Sequence, residues 1–232
     1  MKKLFAALAF ALAFACCTGA DVTDHVVAAH RGAGRYVALT FDDGPHPVYT
    51  PEILDILAEY GAKATFFVVG SNVQDYPELV KRAYDEGHEI GNHTFDHPDM
   101  TKLTTAKQIE QAEKTADTVE NVTGVRPVLF RSPGGFYTEE LVAELEKRSM
   151  IPVLWSWRQD TKDWQLPSAD SIVKNVVKNL QDGDIILMHD YNKKGSPTPE
   201  ALRKLLPILA EKGYTCLTVS ALTALKKDTP AL

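Results

Sequence analysis

Short apolar runs rich in β-formers alternate with helically spaced segments from Tyr36 almost to the C-terminus, and this alternation bounds the fold most tightly. The strand candidates are Tyr36–Phe41, Ala64–Val69, His88–Gly91, Val128–Arg131, Ile151–Trp157, Asp184–His189 and Tyr214–Val219. Between them, Thr50 to Leu57 reads as a helix with a capping Thr, Pro51 at its first position and Gly61 as its stop. Pro77–Ala83, Thr105–Val122, Thr138–Arg148, Ser168–Leu180 and Thr198–Lys212 read as further helices. An incomplete (β/α) barrel fits this pattern, and so does a doubly wound open sheet; the alternation alone does not separate them. At 232 residues, the chain has the length of one such domain.

Several strand candidates end in a reactive side chain. Asp42 and Asp43 follow the first, His93 the third, Arg131 the fourth, Asp160 and Asp163 the fifth, and His189 the sixth. In parallel βα architectures the C-terminal strand ends share one face, where such folds place active sites. These groups are therefore expected to converge.

The ends of the chain read differently. Residues 1–20 carry Lys2 and Lys3 ahead of the apolar run Leu4 to Ala15, a secretory signal too short for a permanent membrane helix. Ala13-Phe14-Ala15 before Cys16 fits a signal peptidase site and also resembles a lipoprotein box, so a lipid anchor at Cys16 stands beside free secretion. Either way an exported bacterial protein results, periplasmic, extracellular or membrane-anchored. Residues 21–34 are read as a flexible polar leader, 35–225 as the folded domain and 226–232 as a tail. Removing residues 1–20 moves the formal charge from −6 to −8, which argues against a nucleic-acid partner. Cys216 is then the sole thiol of the domain, in an apolar segment where it is expected to be buried and inert. A monomer is expected.

Asp42 and Asp43, adjacent at the end of an apolar strand and followed by Gly44-Pro45, need a positive partner if both are to be buried and charged. His93 and His97 lie four residues apart, which on a helical turn brings both rings to one cation. With Asp43 they make two imidazoles and one carboxylate, the minimal open metal site. Asp42 and His189 are the candidate base and acid, Arg131 a partner that keeps Asp42 ionised, and Asp163 a carboxylate able to orient a histidine. Taken singly, each has a plainer reading as a solvated turn, a surface residue or a structural ion pair.

Taken together, Thr40 to Pro45, His93 to His97, Arg131 to Gly135, Asp160 to Trp164 and Ile185 to Asp190 resemble, in order and spacing, the five motifs of the polysaccharide deacetylase family (carbohydrate esterase family 4, the NodB homology domain). The likeness spans roughly Tyr36 to Ser220. It implies a deformed (β/α) barrel of seven or eight strands and a divalent ion, usually zinc with cobalt, nickel or manganese as the other candidates, held by Asp43, His93 and His97. It further implies Asp42 as general base, His189 as general acid, Arg131 positioning Asp42 and Asp163 tuning His189. The backbone N–H of Gly134 would help stabilise the oxyanion, and Leu187 and Trp164 would wall a pocket for the acetyl methyl. One departure stands out: the family's third motif continues into an aromatic residue where this chain has Gly134, leaving Phe136 or Tyr137 to replace that wall.

The expected activity is removal of N-acetyl groups from a polysaccharide, with peptidoglycan N-acetylglucosamine as the leading substrate because an exported bacterial protein meets that polymer first. Chitin oligomers, another N-acetylglucosamine polymer and acetylated xylan are the enzymatic alternatives. A non-catalytic glycan-binding module and a small-molecule amidohydrolase are the rivals of other classes.

Overall fold

A computed structural model describes residues 25–32 and 34–226; the signal segment with Cys16, the first part of the leader and nearly all of the tail lie outside the described residues. The chain runs β1 (Tyr36–Asp42), α1 (Tyr49–Glu59), β2 (Ala64–Val68), α2 (Gly70–Asp75), α3 (Pro77–Asp85), β3 (Glu89–Asn92), α4 (Thr105–Thr123), β4 (Leu129–Phe130) and α5 (Glu139–Glu146). It continues through β5 (Ile151–Pro152), α6 (Ala169–Asn179), β6 (Asp184–His189), α7 (Thr198–Glu211), β7 (Thr215–Cys216) and α8 (Val219–Thr223). All pairings between these strands are parallel, in the order β5-β4-β3-β2-β1-β6, with β7 on the first residues of β1. The curled sheet with helices outside it is the deformed barrel, and the open doubly wound alternative drops out.

Strand alternation sorts the side chains. Val37, Leu39 and Phe41 of β1 pack outward in the large cluster with Ile53, Leu54 and Leu57 of α1 and Leu202, Leu205 and Leu209 of α7. Ala38 belongs to a second cluster with Phe67, Leu129, Val153 and Ile185, joined by Val219 and Leu222 of α8. Thr40 and Asp42 share the parity of Ala38, and Leu187 and His189 that of Ile185. The interior is therefore apolar at the N-terminal end and polar at the C-terminal end.

The leader departs from expectation. Val27 N–H donates to Pro152 O and Leu154 N–H to Val27 O, while His30 N–H donates to Gly183 O. This part of residues 21–34 is thus tied between β5 and the start of β6, its backbone hydrogen bonds bridging the two. Further along, Ser156 N–H donates to Ile185 O, Leu187 N–H to Gln159 O and Thr161 N–H to Leu187 O, so the chain after β5 bridges to β6 directly.

Two local expectations also change. Thr50 lies inside α1 and caps nothing; its hydroxyl donates to Asp190 Oδ2 (2.6 Å) and accepts from His46 N–H (2.7 Å). The last apolar run ends as strand at Cys216, and Val219 begins α8, capped by the Thr218 hydroxyl on Ala221 N–H. Cys216 is buried, and burial pushes its thiol up to about 12, as befits an inert core residue. Among the described residues no helix is long and apolar enough to cross a membrane.

Candidate active site

The parallel register aligns the strand ends. Asp42 is the register partner of His189 on β6 and of Phe67 on β2, and Asn92, just before His93, pairs with Phe130, just before Arg131. Neighbouring strands lie about 4.8 Å apart, so Asp42 and His189 are adjacent on the interior face.

Arg131 is fully buried, and its guanidinium lies 4.0 Å from the centroid of the Phe67 ring. Nη1 donates to Asp42 Oδ1 (2.7 Å) and Thr40 Oγ1 (2.8 Å), and Nη2 to the Leu154 carbonyl (2.9 Å). A buried cation held this way fixes the direction of the inward Asp42 carboxylate. The Thr40 hydroxyl donates to Ile186 O (2.8 Å), which leaves its oxygen to accept from the guanidinium.

Asp43, His93 and His97 offer three ligand atoms that all lie within 4.8 Å of one another. Asp43 Oδ1 is 3.4 Å from His93 Nε2 and 3.2 Å from His97 Nε2, yet it is buried without a hydrogen bond. Burial works against the charge of Asp43, but the imidazoles of His93 and His97 outweigh it and hold the carboxyl well below its usual range. The same carboxylate raises His97 above an ordinary histidine. His93 Nδ1 lies 2.7 Å from the Arg131 carbonyl, which can only accept, so Nδ1 carries a proton and Nε2 is the nitrogen turned to the cluster.

The two histidines do not meet through a helical turn. His93 to His97 is a loop, with Thr94 at φ 68° and His97 at φ 50°, and these left-handed residues fold the second ring back onto the first, centroids 5.1 Å apart. Asp43 is left-handed as well, at φ 76°. Asn72 Nδ2 donates to its carbonyl (2.7 Å) and holds that conformation.

On the other side, Asp163 Oδ1 lies 2.7 Å from His189 Nδ1, while Oδ2 accepts from His189 N–H (2.7 Å) and the Thr198 hydroxyl (2.6 Å). Burial tends to discharge His189, but the Asp163 hydrogen bond and charge, with Asp42 and Asp43 beyond, push it up to about 9. Leu187 is buried two residues before His189, and Trp164 is about half exposed beside Asp163. Gly134 sits at φ 65° on an exposed turn with nothing within 4 Å of where a Cβ would stand. The Tyr137 hydroxyl is committed to Phe130 O, Val153 O and Ser132 N–H, and Phe136 packs against the core cluster of Met100 and Leu141.

Asp42, Asp43, His93, His97, Arg131, Asp163 and His189 thus come together, whereas the Asp160 carboxylate turns into its own loop and accepts from Lys162 N–H (2.9 Å). The supports Asn72, Thr198 and the Leu154 carbonyl escaped notice. Thr198 follows Pro197 and carries the ordinary signal of a helix start, and Asn72 lies on α2, whose six residues are too few for a periodicity to show.

A family model described as polysaccharide deacetylase matches residues 29–151. The chain is similar to a peptidoglycan-N-acetylglucosamine deacetylase of Bacillus cereus, 44% identical over 192 residues, which covers 83% of this chain and 90% of that protein. It is 39% identical over 198 residues to a peptidoglycan-N-acetylmuramic acid deacetylase of Bacillus subtilis, covering 85% of this chain and 40% of that longer protein. The crystal structure of a peptidoglycan N-acetylglucosamine deacetylase in complex with 4-naphthalen-1-yl-N-oxidanyl-benzamide matches with a TM-score of 0.82 at 35% identity, covering 90% of this chain and 97% of that one.

Proposed function

The chain belongs to the polysaccharide deacetylase family, and from that premise we propose that it is an exported, metal-dependent enzyme removing N-acetyl groups from the N-acetylglucosamine of peptidoglycan. The observation that carries this reading is the adjacency of Asp42 and His189 across β1 and β6, beside the cluster of Asp43, His93 and His97. Two imidazoles and a carboxylate suit zinc with positions left open, and the buried, unpartnered Asp43 Oδ1 is an acceptor that a cation would satisfy. A divalent ion held there supplies Lewis-acid polarisation of the acetamide carbonyl and makes a water easier to deprotonate.

The rest of the chemistry belongs to this chain's own groups. Asp42, oriented by Arg131 through Oδ1, takes the proton of the attacking water on its other oxygen, Oδ2. His189, protonated through Asp163, gives its proton from Nε2 to the departing nitrogen. The N–H of Gly134, on a turn open to solvent, faces the developing oxyanion, and Leu187 and Trp164 bound the acetyl methyl. Acetate and a free amino sugar result.

The test is acetate release from peptidoglycan and from N-acetylglucosamine oligomers, with chelator and with added zinc. Release from peptidoglycan that chelator stops and zinc restores supports the reading. Release unaffected by chelator overturns the metal, and release only from the oligomers overturns the substrate.

A further inference from the structure

The outer wall of the barrel carries a second concave surface, away from the strand ends. Arg31, Trp157, Arg158, Lys178 and the turn Asn179–Gln181 line a cavity of about 330 Å³. Trp157 is 87% exposed, the most open large hydrophobic side chain among the described residues. The preceding Ser156 N–H is bonded to Ile185 O, four positions before His189. At about 3.3 Å per strand residue, this places the indole's attachment on the order of 13 Å from the catalytic end of β6.

The backbone here is built to present the pair Trp157–Arg158. Gln159 N–H donates to Ser156 O (2.9 Å), closing a turn with Trp157 and Arg158 at its two central positions. Arg158 sits at φ 69°, a left-handed position that turns of this kind give to glycine or asparagine. Both ends of the turn are fixed, for Ser156 N–H donates to Ile185 O and Leu187 N–H to Gln159 O, while Gln159 Nε2 donates to Asp184 Oδ2 (2.8 Å). Neither core packing nor turn propensity accounts for an exposed indole beside a left-handed arginine, and such strain is characteristic of ligand-contacting backbone.

The charge around the indole is one-sided. No carboxylate lines the cavity, although the chain as a whole carries −6. Arg31 is paired with Asp184 (2.7 Å), but Arg158 and Lys178 make no ion pair among the described residues. An indole face attracts the C–H-bearing face of a pyranose ring, and two free cations at its rim attract an acid on that ring. We infer that this cavity is a non-catalytic binding site for a carboxylate-bearing sugar unit, stacked on Trp157 and held at its acid by Arg158 and Lys178.

The test follows the Trp157 indole N–H in the full chain by NMR, its signal identified by loss in Trp157→Phe. The probes are the disaccharide of N-acetylglucosamine with N-acetylmuramic acid, which carries a carboxylate, and neutral chitobiose. The signal should move saturably with the acidic disaccharide, with affinity at least about fivefold weaker for chitobiose and for the variant Arg158→Gly/Lys178→Gln. Glycine keeps the left-handed backbone, so this variant remains folded. An indole signal unmoved by either sugar, or moved equally by both, overturns the inference. Acetate release from peptidoglycan by the same samples reports separately on hydrolysis, so either reading can fail without the other.

Discussion

Arg131 binds one oxygen of Asp42 and leaves the other unbonded to it, as the proposed base role requires. Asp42→Asn keeps an acceptor for Nη1 but cannot take a proton, so acetate release should fall about 10²- to 10⁴-fold, whereas zinc affinity, measured by titration, should change little. Retained turnover would remove Asp42 from the base role. Asp163 sets the proton on His189. Because the folded pKa of His189 is raised to about 9, its protonated form is fully present well below that value and is lost as pH rises through it. Asp163→Asn removes the carboxylate that raises it, so the alkaline limb of the activity profile should move to lower pH; an unmoved limb would detach His189 from the acid role. The residues of the site were legible in the sequence because they stand at strand ends in the order and spacing of a known family's motifs, though each alone has a plainer structural reading. Their supports were not, since Asn72 and Thr198 act through a carbonyl and a carboxylate distant in sequence.

At the scale of elements, the seam between β5 and β6 depends on close backbone contact. A Cβ at Gly183 would stand 1.8 Å from the His30 carbonyl oxygen, at a position already left-handed at φ 75°. Gly124, after α4, has a similar φ of 78° and nothing within 4 Å. Gly183→Ala should therefore cost about 1–3 kcal/mol more than Gly124→Ala, which bears the conformational strain alone. Denaturant midpoints of the two variants check this, and equal losses would mean that the leader contributes nothing to the barrel. Helices such as α4 and α7 were legible because their apolar faces repeat over three or more turns. The helix α2 and the leader's pairing were not, being short and defined only by what they touch.

For the molecule as a whole, stability should respond to metal and to pH. An ion bound at a hundredfold excess over its dissociation constant adds about 2.7 kcal/mol, or a rise in Tm of roughly 5–11 °C for a chain of this size, which chelator should reverse. Asp190 is fully buried with one oxygen unpartnered, and burial, with Asp43 and Asp42 nearby, pushes its carboxyl up to about 7. A carboxyl whose folded pKa lies above its unfolded value favours the folded state below that unfolded value, near 4, and loses this advantage as pH rises through about 7. Thermal stability should fall across that window, and Asp190→Asn should flatten the fall. An unchanged slope would place the charge elsewhere.

By itself the sequence determined the class of fold, through the alternation of period-two and helical patterns, and the chemistry of the site, through the kinds of residue that end its strands. Neither depends on distant contacts, because each is written in neighbouring residues. Tertiary structure decided the rest. The inward parity that turns Asp42 and His189 toward each other, the loop that folds His97 onto His93, and the leader's place in the barrel wall follow from register and packing between segments up to about 150 residues apart, which no local pattern encodes.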